Sequence, residues 1–263
     1  RMMLQEKAIE YYLSQGSKPI SMRGMASMLI HYIDKYGAQP YDSYEDPKDI
    51  NYKTLCRKVE QLCDAAISQK SGFGKLKDDL DNLFDQEIGY MPAKQVHMLG
   101  AEYTPLEFAH SVCYPEEYVS LTSFTHHPYR EYFALEVPDN VMHDQFLNLP
   151  LDEFMAVMDN AVKQGYTFAW GSDVSEQGFT RDGIAVMPDV NKESELSGSD
   201  MARWTGLTAA DKRKELTSKP LPEMEITQEM RQTAFDNWET TDDHGMVIYG
   251  IAKDQNGKEY FMV

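Results

Sequence analysis

The residue whose type and surroundings best fit acid–base chemistry is His244, near the end of the 263-residue chain. It follows two aspartates, Asp242 and Asp243, and stands where polar sequence gives way to the strand-like run Met246–Ile251. An imidazole at the head of a strand can serve as a general base for a nucleophile supplied by another part of the fold. The same position also suits a structural histidine that pairs with a neighbouring carboxylate. The residue types alone leave both interpretations open.

Metal binding is the next chemistry that the histidines suggest. Its candidates are His244 with Asp242 or Asp243, and the adjacent pair His126–His127. Adjacent side chains are expected to point in different directions, and no His-x-x-x-His or Cys-x-x-Cys spacing is present. The pattern Asp189-x-Asn191-x-Glu193 resembles a calcium loop, but it lacks glycine at the sixth position and glutamate at the twelfth. We therefore expect neither a metal nor another cofactor.

The three cysteines carry no signature of a nucleophile. Their odd number does not suit a disulfide framework. Cys56 and Cys63 lie on an apolar stripe with helical spacing, and Cys113 follows a helical segment. We expect all three thiols to be structural.

A β-hairpin is predicted to position His244. The run Met246–Ile251 predicts its first strand, Asp254–Gly257 a tight turn, and Glu259–Val263 the returning strand. The segment Ile226–Trp238 has the pattern of a helix that leads into the histidine.

The segment before this helix is predicted to hold one more helix and one more strand. The amphipathic helix begins at Leu151 and is stopped by Gly165. Tyr166–Trp170 predicts a buried strand and Gly171–Asp173 a turn, whereas the polar residues 192–222 predict a surface excursion.

Helices dominate the first half of the chain, and strands appear mainly in the second. Thr104-Pro105-Leu106-Glu107, for example, combines a capping threonine, a proline at the first helical position and a glutamate three residues after the cap. This order predicts an α+β protein with a mainly helical lobe at residues 1–117 and a sheet-containing lobe at residues 118–263.

Composition excludes two classes of partner. With 25 basic and 43 acidic residues the formal net charge is −18, and no lysine or arginine block is present. Such a surface repels nucleic acid and anionic membranes. No apolar run approaches the roughly 20 residues that a membrane span needs.

Two segments around the histidine, Asp243–Gly250 and Lys258–Val263, resemble the histidine hairpin of papain-like cysteine peptidases. Within that family the chain is similar to the bleomycin hydrolase or aminopeptidase C group, bacterial members included. The resemblance extends from about Tyr118 to Val263 and is thinner before Tyr118. The further segments that carry it are Val119–Pro128, Leu149–Phe154, Gly165–Val174 and Met230–His244.

The chain departs from the family pattern at two places. The family's nucleophile lies in Gln-x-x-x-Gly-x-Cys-Trp-Ser/Ala-Phe, and no cysteine here is followed by tryptophan. The family's orienting asparagine lies in Lys-Asn-Ser-Trp-Gly, directly after the strand that ends here at Val263. In the family the cysteine segment precedes the region equivalent to Arg1. We therefore expect a truncation at both ends, and we expect the 263 residues alone to be inactive.

The resemblance implies a papain-like fold and, in the intact protein, an aminopeptidase that hydrolyses short peptides by a Cys-His-Asn mechanism. His244 would be the general base and acid, and Asp243, which precedes it as in papain, would modulate its electrostatics. Group members often form hexamers. The compartment stays open: cytoplasmic by analogy with the group, or periplasmic if a leader precedes residue 1.

A second function fits the same sequence. A papain-like module without a nucleophile could bind peptides without cleaving them. The codons before Arg1 and after Val263 discriminate between the two functions, because a peptidase needs Cys-Trp upstream and Asn-Ser-Trp downstream.

Overall fold

The structure of the chain is a computed structural model, and it describes most of the 263 residues. The predicted polar excursion, residues 192–222, lies almost entirely outside the described part, as do Asn191 and Glu193 of the calcium-like pattern. The described residues are 1–40, 43, 50–176, 178–180, 183–187, 189, 206, 208, 211 and 223–263.

The described residues form two compact units, which combine helices with small sheets. The first unit comprises Arg1–Val119 and Pro138–Asp144, and the second comprises Ser120–Val137 and Gln145–Val263. The predicted α+β class is confirmed. None of the helices within the described residues is both long enough and apolar enough to cross a membrane.

The first unit is mainly helical. Its helices are α1 (Met2–Leu13), α2 (Ala26–Tyr36), α3 (Tyr52–Gln69), α4 (Gly72–Glu87) and α5 (Pro105–Val112), and its strands are β1 (Val96–Met98) and β2 (Ala101–Tyr103). A 3₁₀ turn follows at Pro115–Glu117.

The core of this unit lies between α1, α3 and α4. Helix α3 buries Leu55, Val59 and Cys63, which recur every four residues and therefore share one face. The predicted apolar stripe that contains Cys56 and Cys63 is thus part of the core. The neighbouring helices contribute Leu4 and Ala8 from α1, and Leu76, Leu80 and Phe84 from α4.

Local sequence sets the start of α5 as predicted. The Thr104 hydroxyl accepts from the Glu107 N–H at 3.2 Å, and the Glu107 carboxylate accepts from the Thr104 N–H at 2.7 Å. Gly37 ends α2 where the backbone comes so close to Pro105 that a Cβ atom would lie 2.2 Å from the Pro105 carbonyl carbon. With φ at +84°, this position requires glycine.

Within the described residues, the second unit combines small sheets with helices. Its elements are β3 (Leu121–Thr122), β4 (Tyr132–Ala134), β5 (Gln145–Asn148), α6 (Leu151–Lys163), β6 (Phe168–Ser172), α7 (Gln228–Asp236), β7 (His244–Ile248), β8 (Gly250–Lys253) and β9 (Glu259–Met262). Strand β5 pairs with β3 in parallel and with β4 in antiparallel orientation. The pairs β6–β7 and β8–β9 are both antiparallel.

A buried asparagine holds the segment that follows β3. Asn148 has no exposed surface, and its amide nitrogen donates to the carbonyl oxygens of Phe124, His127 and Pro128. Its amide oxygen accepts from the Phe124 N–H at 2.9 Å. All these polar atoms are satisfied, as buried polar groups must be.

Helix α7 is attached to the same segment by side chains on one face. Gln232 accepts from the Thr125 N–H at 2.6 Å, and Arg231 donates to the Ser123 carbonyl at 2.9 Å. Gln228 accepts both from the Ser123 hydroxyl and from the Leu151 N–H. The helix that leads toward His244 therefore starts from a fixed position within this unit.

Two sequence predictions about the strands were wrong in detail. The strand before the histidine is Phe168–Ser172, so Gly171 and Ser172 belong to β6 and not to a turn. This strand was predicted to be buried, but alternate residues of β6 are exposed. Successive side chains point to opposite faces, and an antiparallel sheet commonly packs one face and leaves the other in water, which explains the alternation. The predicted strand Met246–Ile251 is divided at Tyr249 into β7 and β8, and only β8 forms the hairpin with β9.

Substitution of the core residue Leu80 by alanine tests the packing of the first unit. Leu80 is 1% exposed in α4, and a Leu→Ala change at such a site typically costs about 2–5 kcal/mol of unfolding free energy. Leu13→Ala at the end of α1 is the matched control, because Leu13 is 64% exposed and its loss should stay within about 0.5 kcal/mol. Urea unfolding followed by circular dichroism measures both, and equal losses would contradict this description of the core.

Candidate active site

His244 is placed by antiparallel pairing between β6 and β7. The register runs from Phe168 opposite Ile248 to Ser172 opposite His244, so the histidine lies in the last pair of the ladder. Ile248, at the other end of β7, is 1% exposed and anchors the strand, whereas His244 is exposed.

The imidazole of His244 makes no hydrogen bond, ion pair or ring contact with the described residues. Each of the other six histidines has a partner in the structure. A structural histidine paired with a neighbouring carboxylate, the alternative left open by the sequence, therefore does not describe His244. The partners of the others are Tyr32 for His31, Glu102 for His97, Asp34 for His110, and Glu136 for His126 and His127, and His143 also has an interaction.

The carboxylate of Asp243 is engaged by backbone. Its Oδ1 accepts from the Val174 N–H at 3.0 Å, and the Asp243 N–H donates to the Ser172 carbonyl at 3.3 Å. Asp243 thus links the approach to β7 with the residues that follow β6. Neither Asp242 nor Asp243 forms a three-ligand cluster with His244 among the described residues.

Asp173 is a residue of this site that the sequence did not single out. It is 6% exposed, and its two oxygens accept four hydrogen bonds. Burial by itself would raise the pKa of Asp173, but the donors on Ser175 and Thr241 outweigh it and hold the pKa below its usual range. The spacing Asp173-x-Ser175 is typical of an Asx turn and could have indicated this role. The distances are 2.7 and 2.6 Å from the Ser175 N–H and hydroxyl, and 2.8 and 3.2 Å from the Thr241 N–H and hydroxyl.

His126 and His127 converge, contrary to the sequence expectation. They lie in a bend after β3, whereas adjacent side chains point to opposite faces only in a regular strand, as the expectation assumed. Their Nε2 atoms lie 3.2 and 2.6 Å from the two carboxylate oxygens of Glu136, and the ligand atoms of all three residues lie within 4.8 Å of one another. The distances alone would suit a metal ion.

Hydrogen bonds assign the His126–His127–Glu136 cluster a different role. Gln232 accepts from the Thr125 N–H and donates to Asp236 at 2.7 Å, so its amide nitrogen faces His126 Nδ1 at 3.1 Å. Nδ1 must then be the acceptor, which leaves the proton on Nε2, directed at Glu136. A metal needs a lone pair on Nε2 and a proton on Nδ1. The cluster is therefore best explained as a set of hydrogen bonds that stabilises the bend after β3.

Zinc titration tests this assignment. Micromolar Zn²⁺ is expected to leave the melting temperature of the protein unchanged, because His126 offers a proton in place of a lone pair. The double variant Gln232→Glu/Asp236→Asn reverses the donors around Nδ1 and is expected to gain saturable stabilisation by Zn²⁺, which EDTA removes. Zn²⁺ stabilisation of the unmodified protein that disappears in Glu136→Gln would contradict the assignment.

Comparison with known proteins gives one family and one structural likeness. The sequence profile described as "Peptidase C1-like family" matches residues 87–228, more than half of the chain and ending before His244. No curated protein matches the chain.

The structural likeness is to a crystal structure of PepW from Lactobacillus rhamnosis HN001 (DR20). The two share 17% identity with a TM-score of 0.56, over 98% of this chain and 60% of the PepW chain. This chain thus spans about 60% of the length of the PepW chain, and at this identity the likeness shows the fold alone. The chain belongs to the Peptidase C1-like family, and its expected resemblance to papain-like cysteine peptidases is confirmed.

Proposed function

We propose that this chain supplies the catalytic histidine of a thiol-dependent peptidase, and that this histidine is His244. The observation that carries the proposal is the free ring: His244 is the one histidine whose imidazole has no partner among the described residues. Its backbone is nevertheless fixed by pairing with Ser172. A general base needs this combination of a held backbone and an available ring nitrogen.

The mechanism follows from thiol chemistry. A free cysteine has a pKa near 8.5 and is mostly protonated at neutral pH, whereas an adjacent imidazolium stabilises the thiolate. His244 would take the thiol proton, and the thiolate sulfur would attack the peptide carbonyl. His244 would then give the proton to the leaving amine and afterwards remove one from the water that hydrolyses the thioester.

The nucleophile and the orienting asparagine are proposed to come from residues outside positions 1–263. Neither family motif occurs within the 263 residues. The greater length of the PepW chain, of which this chain covers 60%, supports the same idea. The glutamine that precedes the family's cysteine would donate to the oxyanion.

Substrate class and assembly are proposed from the family resemblance. The substrates would be short peptides cleaved at their N-terminal end, and the protein would assemble as a homo-hexamer. Residues 1–117 would form the helical lobe with its family-specific insertions, and residues 118–263 the lobe that carries His244. Asp243 would act on the site through the Val174 backbone that it binds.

A peptide-binding module without catalysis is the second candidate, and the three cysteines favour it. Cys56 and Cys63 are buried in the first unit, and Cys113 lies at the end of α5. None of them belongs to the unit that contains His244. The complete reading frame discriminates between the candidates, because a frame without a Cys-Trp segment would leave only binding.

The thiols give a direct test of this division of roles. Burial raises the pKa of Cys63 to about 11 and also raises that of Cys56, so both remain protonated at neutral pH. We expect Cys56, Cys63 and Cys113 to react slowly with an epoxysuccinyl inhibitor of cysteine peptidases, as followed by mass spectrometry of the 263-residue chain. Rapid stoichiometric labelling of one of them would show that the nucleophile lies within the chain.

Substitution of His244 by alanine in the protein encoded by the complete reading frame tests the proposal. The change removes both the partner of the thiolate and the acid for the leaving amine, and general acid–base catalysis is worth about 10²–10⁴-fold. Turnover of an aminoacyl-methylcoumarin substrate should fall by at least about 10³-fold, with little change in melting temperature because the ring is exposed.

His97→Ala is the matched control for this experiment. His97 is also an exposed histidine within a strand, in β1 of the first unit, and its side chain is 67% exposed. Turnover should stay within about tenfold, and we expect the same of His126→Ala and His127→Ala. Activity that survives His244→Ala while stability falls would identify His244 as a structural residue.

A further inference from the structure

The last pair of the β6–β7 ladder is the part of the site that most needs support. A two-stranded antiparallel ribbon is marginally stable by itself, and its ends open first. Ser172 and His244 form that last pair. Since the imidazole has no partner among the described residues, only the backbone at this pair determines where the ring can lie.

Beyond the pair, two carboxylates join the strands in opposite directions. Asp173, which follows β6, accepts from the N–H and the hydroxyl of Thr241, three residues before His244. Asp243, which precedes β7, accepts from the N–H of Val174. Each strand end is therefore tied to the continuation of the other strand. A neighbouring contact, from the Thr240 hydroxyl to Glu176 at 3.0 Å, extends the same link.

The two carboxylates are not equivalent. Asp243 is exposed and accepts one hydrogen bond, whereas Asp173 is 6% exposed and accepts four, two from each side of the link. Hydrogen bonds to a buried charged group contribute more than those to an exposed one. Asp173 therefore contributes more than Asp243 to holding the two strand ends together. It contacts the backbone that carries His244 and has no contact with the ring.

We propose that Asp173 is a positioning residue for His244, which sets the placement of the imidazole through Thr241 and the end of the β6–β7 ladder. This inference rests on the proposed function of His244. A reacting group displaced by about 1 Å can lose about 10²-fold in rate. Asp173 should therefore affect the chemical step more than substrate binding.

Asp173→Asn in the complete protein is the main test. The amide keeps the shape of the carboxylate but has one acceptor oxygen, so its NH₂ group must face the donors of either Ser175 or Thr241. We expect kcat to fall about 10–100-fold while KM stays within about threefold. The pH dependence of kcat/KM reports the ionisation of the acid and the base in the free enzyme, and its midpoints should also shift. Thr241→Val removes only the hydroxyl donor and is expected to lower kcat about 2–10-fold in a protein that folds normally.

Asn148→Ala separates positioning from general stability. Asn148 is also fully buried, also makes four hydrogen bonds and lies in the same unit, but it holds the segment around Phe124. Below its melting temperature this variant should keep kcat within about threefold and should keep the parent protein's pH dependence of kcat/KM. If Asp173→Asn behaves like Asn148→Ala, with lower stability but unchanged kcat and unchanged pH dependence of kcat/KM, the inference is wrong. The proposed function would then stay intact. A protein whose activity survives His244→Ala would overturn the proposed function, and this inference with it.

Discussion

Antiparallel pairing between β6 and β7 is the constraint on which the candidate site depends. The two strands lie far apart in the sequence, and their pairing alone brings Ser172 opposite His244. A slip of one residue would place Asp243 or Gly245 at that position and would turn the ring to the other face of the ribbon. Burial of Ile248 opposes such a slip at one end of β7, and the bonds of Asp173 and Asp243 oppose it at the other.

A second set of buried polar contacts lies in the same unit and holds a different part of it, the bend after β3 and helix α7. Asn148 holds the bend after β3, while Gln228 and Gln232 attach α7 to that bend. Because each group would be costly if left unpaired, the network specifies one position for α7 more sharply than apolar packing would. This network fixes α7, whereas the end of the β6–β7 ladder is held by Asp173 and Asp243.

Features determined by neighbouring residues could be predicted from the sequence, whereas those that depend on distant pairing could not. The capping box at Thr104 and the turn at Asp254–Gly257 were predicted and are present, since their hydrogen bonds join residues within four positions. The division of the last strands at Tyr249 and the extent of β6 depend on partners elsewhere in the chain. The convergence of His126 and His127 depends on a bend that periodicity does not reveal. The roles of individual site residues came from the family resemblance and stay proposals.

Because carboxylates hold the ends of β6 and β7 together, the stability of this link depends on pH. The pKa of Asp173 is lowered in the folded protein, so the stability that it contributes is present above the ordinary aspartate pKa of about 3.9 and is lost as the pH falls through the lower folded value. Acid–base chemistry by a histidine takes place near neutral pH, well above that window. In the proposed mechanism, Asp173 would therefore stay ionised at the pH at which His244 acts as acid and base. If a second histidine held the strand ends in place of a carboxylate, the holding group and the reacting group would ionise over the same range of pH. The cluster at Glu136, where two histidines do share a carboxylate, lies at the bend after β3 and takes no part in holding β7.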